Sequence, residues 1–276
     1  MIKLANLSFG YSKKSMLFRN LYLDLEVGHI YGLLGKNGAG KSTLLKNMAG
    51  LAFPNAGTCK VNGYLASDRK PGFLQELFFI PEELHMPAVT AIQFLESTAP
   101  FYPKFDTIQF HKILSEFDVP SGSLLNKLSF GQQKKMMIAF GLSTNTSLLI
   151  MDEPTNGLDI PSKIQFRKII AAALTDERCI IISTHQVRDL DSLIDTLLVL
   201  HEQKIVLNKS LDEIAERLLF SSAAQANTDH ILYAEENSIG VNTISINDQN
   251  HYSKVDMELL FNSLISNQTA ITTALK

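Results

Sequence analysis

Residues 21–27 (Leu-Tyr-Leu-Asp-Leu-Glu-Val) alternate strictly, with Leu21, Leu23, Leu25 and Val27 on one face and Tyr22, Asp24 and Glu26 on the other. Strands with one buried and one wetted face show this period. Residues 2–9 also show apolar alternation, without the strict period of 21–27, and the two runs predict half-buried antiparallel strands. Residues 30–34 (Ile-Tyr-Gly-Leu-Leu) are a short apolar run, as in a buried strand, and residues 42–49 read as a helix stopped by Gly50. Between about 84 and 140 the period lengthens: 91–98 and 106–118 are helix-like, with Ile113, Leu114 and Phe117 at helical spacing. Asp106 with Gln109 suggests a capping box, and Pro100, Pro103 and Pro120 punctuate the stretch. A mostly helical subdomain inserted into a sheet-based core is the expectation. Two further apolar runs, 147–151 and 179–183, bracket a helix at about 161–174, the alternation of a parallel sheet flanked by helices. Ser210 and Glu213 form a second predicted capping box, 221–228 reads as a linker, 230–234 and 243–247 as strands, and 255–265 as a helix.

The chain has 276 residues, 45% of them hydrophobic and 19% charged, with a net charge of −3. This is an ordinary globular composition with length for a sizeable core. No basic excess points to nucleic acid, and no polybasic tract points to a membrane surface. The apolar runs fall far below the roughly 18 to 20 residues that span a bilayer, and the start, Met-Ile-Lys-Leu-Ala-Asn, lacks a signal-peptide pattern. The expectation is a cytosolic protein whose membrane-spanning part, if any, is another chain. Cys59 and Cys179 make no disulfide framework, and Cys179, opening Cys-Ile-Ile-Ile, reads as a buried small hydrophobe.

Candidate chemistry begins after the strand at 30–34. Gly35-Lys36-Asn37-Gly38-Ala39-Gly40-Lys41-Ser42 fits GxxxxGK[ST] and leads into the predicted helix, the context in which a glycine-rich loop cradles phosphates. Backbone N–H groups from Gly38 to Thr43 would converge on the phosphates, helped by the dipole of the following helix. Lys41 would reach the β- and γ-phosphates, and the Ser42 hydroxyl would hold Mg²⁺. Asp152 and Glu153 end the strand Leu148-Leu149-Ile150-Met151, an expensive place for carboxylates without a task or a partner. Asp152 would hold Mg²⁺, and Glu153 would polarise an attacking water as general base. Lys134 and Lys135 read as a solvated first helical turn.

Taken in order, the phosphate loop, Leu128-Ser129-Phe130-Gly131-Gln132, Leu148 to Glu153, and Ser183-Thr184-His185 resemble the nucleotide-binding subunit of an ATP-binding cassette (ABC) transporter. The resemblance covers residues 1 to about 217. It implies an α/β fold: a phosphate-loop (RecA-like) parallel-sheet core, an antiparallel β subdomain and an inserted helical subdomain. A small C-terminal α+β extension would occupy 218–276. It implies that His185 contacts the γ-phosphate and that Tyr11 stacks on adenine. Ser129, Gly131 and Gln132 would complete the ATP pocket of a second subunit, and Asp159 in Asn156-Gly157-Leu158-Asp159 would lie in a loop bridging the two. Catalysis would then fall to Lys41, Glu153 and His185. Gly35, Asn37, Gly38, Ala39, Gly40, Lys41, Ser42 and Thr43 would hold ATP, while Ser42, Asp152 and Glu82 would hold Mg²⁺.

Two positions depart from the family pattern. Phe130 replaces the usual glycine, and Glu82 follows Phe79-Ile80-Pro81 where glutamine is usual. The Pro-Glu form and Phe101-Tyr102-Pro103-Lys104-Phe105-Asp106 resemble the bacterial export-type branch. The implied protein is an ATPase that forms a homodimer or heterodimer on ATP and drives a separate integral membrane permease from the inner face of the cell membrane. The permease would dock near Glu82, Met86 and Phe101 to Phe105, where exposed aromatics would make a helix-in-groove contact, and no nucleic acid is involved. A non-transport ABC ATPase of the iron-sulfur assembly type is the alternative.

Overall fold

The computed structural model describes residues 1–12, 15–223, 231–237, 240–248, 251, 253–266 and 268–276. Strands β1 (Ile2–Ser12) and β2 (Ser15–Leu25) form an antiparallel hairpin. Next come β3 (His29–Leu34), helix α1 (Lys41–Met48), β4 (Ala56–Val61), β5 (Tyr64–Leu65), α2 (Pro71–Gln75) and β6 (Leu77–Ile80). The helical insertion holds α3 (Ala91–Thr98), α4 (Thr107–Glu116) and the start of α5 (Phe130–Ser143). β7 (Leu148–Asp152), α6 (Ile160–Ala172), β8 (Cys179–Thr184), β9 (Thr196–His201), β10 (Lys204–Ser210) and α7 (Leu211–Arg217) complete the core. The C-terminal part adds β11 (Leu218–Ala223), β12 (Ile231–Asn237), β13 (Gly240–Ile246), α8 (Met257–Ser266) and α9 (Gln268–Ala274).

The central sheet runs β10-β9-β3-β8-β7-β6, with β10 antiparallel to β9 and the rest parallel. A second sheet, β2-β1-β4-β5, is antiparallel, and a third, β11-β13-β12, belongs to the C-terminal part. The apolar runs of β7 and β8 are buried on both faces, as strands of a covered parallel sheet must be. Side chains alternate between those faces. Leu148, Ile150, Cys179 and Ile181 join the core formed with α1 and the antiparallel sheet. Leu149, Met151, Ile180 and Ile182 join the core formed with Phe110, Phe140 and Phe166. Cys179 is a buried free thiol within that sheet, as its sequence context predicts.

Several boundaries differ from the sequence-based expectation. β2 starts at Ser15 rather than 21, because Asn20 at φ 50° interrupts the alternation upstream. Asp106 accepts from the Gln109 amide at 2.9 Å and caps α4, whereas full capping boxes occur at Thr90 with Gln93, Ser129 with Gln132, and Ser210 with Glu213. Of the expected linker, residues 221–223 are paired strand in β11, and 224–228 lie outside the described residues. Among the described residues, no helix is long and apolar enough to cross a membrane.

Candidate active site

Parallel pairing of β3, β8 and β7 brings three carboxyl-terminal strand ends side by side: Leu34 opposite Thr184, and Asp152 opposite Ser183. Ligand crevices in open α/β sheets form at such ends. From β3 the chain enters the glycine loop, where Gly38 and Gly40 take φ of 79° and 104°. A Cβ on Gly40 would meet the Phe18 ring at 2.9 Å, so this position has neither the backbone freedom nor the room for a side chain. Gly40 is the N-cap of α1 and makes no side-chain cap hydrogen bond, leaving the first helical N–H groups facing the loop.

Lys41 is buried, and its ammonium donates to Gly35 O at 2.8 Å and lies 3.9 Å from Glu153 Oε1. Burial lowers its pKa, opposed by the charges of Glu153, Asp152 and Glu82. Asn37 and Gly38 are exposed, Ala39, Gly40 and Ser42 half-buried, and Gly35 and Thr43 buried. Thr43 Oγ1 lies 3.0 Å from the hydroxyl of Tyr11, whose ring is 74% exposed beside the loop.

Glu153 is only 4% exposed. Its Oε1 lies 2.9 Å from His185 Nδ1, while its Oε2 is buried with no hydrogen-bond partner. The residue takes φ 46°, a left-handed conformation costly for a non-glycine residue. Its amide is held by the carbonyl of Ser183 at 3.2 Å and the hydroxyl of Ser183 at 3.1 Å. The same hydroxyl donates to Asp152 Oδ1. Ser183 thus ties the two carboxylate residues to β8. Its place in the apolar strand 179–183 gave no sign of that role beyond its being the one polar residue there.

Glu82 is exposed, and its Oε1 accepts from Asn156 Nδ2 at 3.3 Å. The site therefore gathers Lys41, Asp152, Glu153 and His185, with Ser42 on the helix that follows and Glu82 on the adjoining loop. Ser42, Asp152 and Glu82 offer only oxygen donors, the set that suits Mg²⁺. Among the described residues no cluster of three or more His, Cys, Asp or Glu could hold a metal alone. A Mg²⁺ ion needs only one or two carboxylates when phosphates supply the remainder, so the donor set fits.

Other sequence-predicted residues lie apart. Ser129 is the N-cap of α5 and accepts from the Gln132 amide at 3.2 Å, while Gln132 Oε1 accepts from the Ser129 amide at 3.0 Å. A Cβ on Gly131 would meet Gly157 O at 2.7 Å, so α5 sits hard on the 156–158 turn. No described hydrogen bond or ion pair joins residues 128–133 to the phosphate loop of the same chain. Asp159 caps α6, accepting from the Ser162 amide at 3.0 Å, and hydrogen bonds from the Ser162 hydroxyl and then its amide hold the carboxyl below the usual range.

Two expectations are corrected. Lys134 is not solvated: it is 0% exposed, and Nζ donates to Pro81 O at 3.1 Å and Glu153 O at 3.3 Å. It shares a helical stripe with buried Ile138 and Leu142, and that spacing of four was a legible sign of its burial. Of the aromatics expected to be exposed at 101–105, only Phe101 is (68%). Phe105 and Tyr102 face the Phe140 ring at 4.9 and 6.3 Å. A further group not foreseen is Asp189, which accepts from Thr155 Oγ1 and from Lys163 Nζ at 2.8 and 2.9 Å. It fastens the turn after Glu153 to α6 and to the short turn Val187–Asp189 that follows His185.

A glycine loop between a central parallel strand and a helix, beside a strand ending in two carboxylates, defines a phosphate-loop nucleotide-binding α/β protein. The family described as ABC transporter matches residues 18–156. The lantibiotic transport ATP-binding protein SrtF of Streptococcus pyogenes is 31% identical over 229 residues, 77% of this chain and 92% of that protein. The Nod factor export ATP-binding protein I of Burkholderia orbicola is 29% identical over 213 residues, 73% of this chain and 68% of that one. The dimeric structure of the bacterial ABC transporter cassette MJ0796 superposes with a TM-score of 0.68 at 20% identity, over 76% of this chain and 99% of that one; this likeness shows the fold. The chain belongs to the ABC transporter family as an ATP-binding subunit, and it is an ATPase.

Proposed function

We propose that this chain hydrolyses ATP at two composite sites of a dimer and thereby drives a separate membrane-spanning permease in export. The observation that carries the hydrolytic part is the buried, unpartnered Oε2 of Glu153. A buried acceptor without a partner is costly, and a water positioned for attack on the γ-phosphate would satisfy it. His185, on Oε1 at 2.9 Å, orients the carboxylate, and Lys41, freed from Gly35 O, turns to the phosphates. Mg²⁺, held by Ser42, Asp152 and Glu82, would neutralise charge on the β- and γ-phosphate oxygens. The ring of Tyr11 is exposed where an adenine would stack.

Dimerisation is supported by Ser129, exposed at the N-cap of α5, a helix N-terminus that suits an anion and that no described hydrogen bond ties to its own phosphate loop. The dimeric MJ0796 cassette agrees with this reading. A groove of about 490 Å³ lined by Leu51, Leu74, Phe79, Phe101 and Tyr102 offers the permease an apolar seat. Glu82 and Met86 stand on the loop leading to it. Export is supported by the Pro-Glu pattern and by the relative named for Nod factor export. Such a protein works on the cytoplasmic face of the membrane. Glu153→Gln should lower turnover by about 100-fold or more while ATP still binds; Mg²⁺-ATP hydrolysis beside nucleotide binding tests this. Turnover within twofold of the native rate would reject Glu153 as the base.

A further inference from the structure

Lys134 is a buried ammonium with no ion-paired carboxylate among the described residues. Both of its hydrogen bonds go to backbone carbonyls, Pro81 O at 3.1 Å and Glu153 O at 3.3 Å. Burying such a charge is expensive, and a leucine or methionine would fill the volume without that cost. The two carbonyls belong to different loops: Pro81 leads β6 into Glu82, and Glu153 is the left-handed residue at the end of β7. The peptide plane that Lys134 grips through Glu153 O is the one that follows the Glu153 Cα. Ser183 fixes the peptide plane before it. Both sides of the strained residue are therefore held, one from β8 and one from α5.

Phe130 completes the arrangement. Its ring lies 5.5 Å from the Lys134 ammonium, within reach of a cation–π contact. It also covers Gly157 so closely that a Cβ there would meet the ring at 2.5 Å. The aromatic ring thus closes the first turn of α5 over the ammonium. The carboxylates of Asp152, Glu82 and Glu153 attract that charge from farther away.

Resting on the reading of Glu153 as general base, we propose that Lys134 is a positioning residue for hydrolysis: it fixes the backbone of Glu153 and of the Pro81-Glu82 loop so that the base is aimed at the attacking water. It touches neither nucleotide nor water. Its contribution appears in the chemical step and not in ATP affinity.

The test uses the full chain with Mg²⁺-ATP and two substitutions: Lys134→Met, which keeps length and packing but no donor, and Lys134→Gln, which keeps a donor without charge. Lys134→Met should lower kcat about 10- to 100-fold with KM for ATP changed less than about threefold, and Lys134→Gln should recover part of kcat. In the Glu153→Gln background, Lys134→Met should change the residual single-turnover rate less than about twofold, because no base remains to be aimed. If Lys134→Met turns over within twofold of the native rate, or loses rate equally in both backgrounds, or raises KM in step with the loss, the positioning role is wrong. If Lys134→Met fails to fold, Lys134→Gln alone must show the kcat loss with KM unchanged, or the role is rejected. A Glu153→Gln variant with native turnover would instead overturn the general-base reading itself.

Discussion

At the scale of single residues the site is defined by groups whose chemistry their surroundings strain. Glu153 is buried, left-handed and carries an orphan oxygen, three costs tolerated together only where the geometry is needed. Lys134 is the second case, and burial pushes its ammonium down to about 8 from an ordinary value of 10.5. Below pH 8 both native and unfolded chains hold this proton. Between about 8 and 10.5 the unfolded chain still holds it and the native chain does not, so this group makes stability rise with pH across that window. A neutral amine keeps two N–H donors, so both carbonyl bonds survive the loss of the proton. The urea midpoint of the native chain should gain on that of Lys134→Met between pH 7.5 and 9.5; a constant difference would mean that the buried group does not titrate there. Lys41, Asp152, Glu153 and His185 were legible because a motif fixes their types and spacing along the chain. Lys134 was harder to read, because two adjacent lysines suggest solvent, and only the stripe shared with Ile138 and Leu142 said otherwise.

Elements were legible where period and local chemistry agree, and less so where a turn carries no signal. β7 and β8 are apolar runs buried on both faces. The β9–β10 hairpin turns on Glu202 and Gln203, both at positive φ (45° and 68°), where a two-residue turn ordinarily advertises itself with Asn or Gly. α5 matters most for the site, since it carries Ser129, Phe130 and Lys134 and presses against β6. At Gly141 an added Cβ would meet the Phe78 ring at 2.7 and 2.9 Å, and that ring is wedged against Phe140 and Tyr102 at 5.5 and 5.6 Å. Gly141→Ala gains about 1 kcal/mol in helix propensity, whereas overpacking a core costs about 1 to 3 kcal/mol. With Phe78 packed against Phe140 and Tyr102, overpacking wins, and the substitution should destabilise the chain by about 1 kcal/mol in urea unfolding. A net gain in stability would mean that the Phe78 cluster has room to shift.

At the scale of the whole molecule, the C-terminal helices and the residues leading into α8 join the segment just beyond His185. Arg188 faces Glu258 at 3.5 Å, and Lys254 faces Asp191 at 2.7 Å. All four side chains are largely exposed, so each pair stabilises by at most about 1 kcal/mol. Apolar packing is the stronger bond: Leu190, Leu193 and Ile194 share one buried cluster with Val255, Met257, Leu260, Leu264 and Ile271. That continuity predicts a single cooperative unit rather than a tail tethered by charges. Lys254→Ala should therefore leave the melting temperature nearly unchanged. Leu260→Ala, at a fully buried site, should cost about 2 to 5 kcal/mol and lower one shared transition followed by far-UV circular dichroism and by loss of ATP binding. Should Leu260→Ala instead split the melt, with ATP binding lost only in the later step, the C-terminal part would be a separate folding unit.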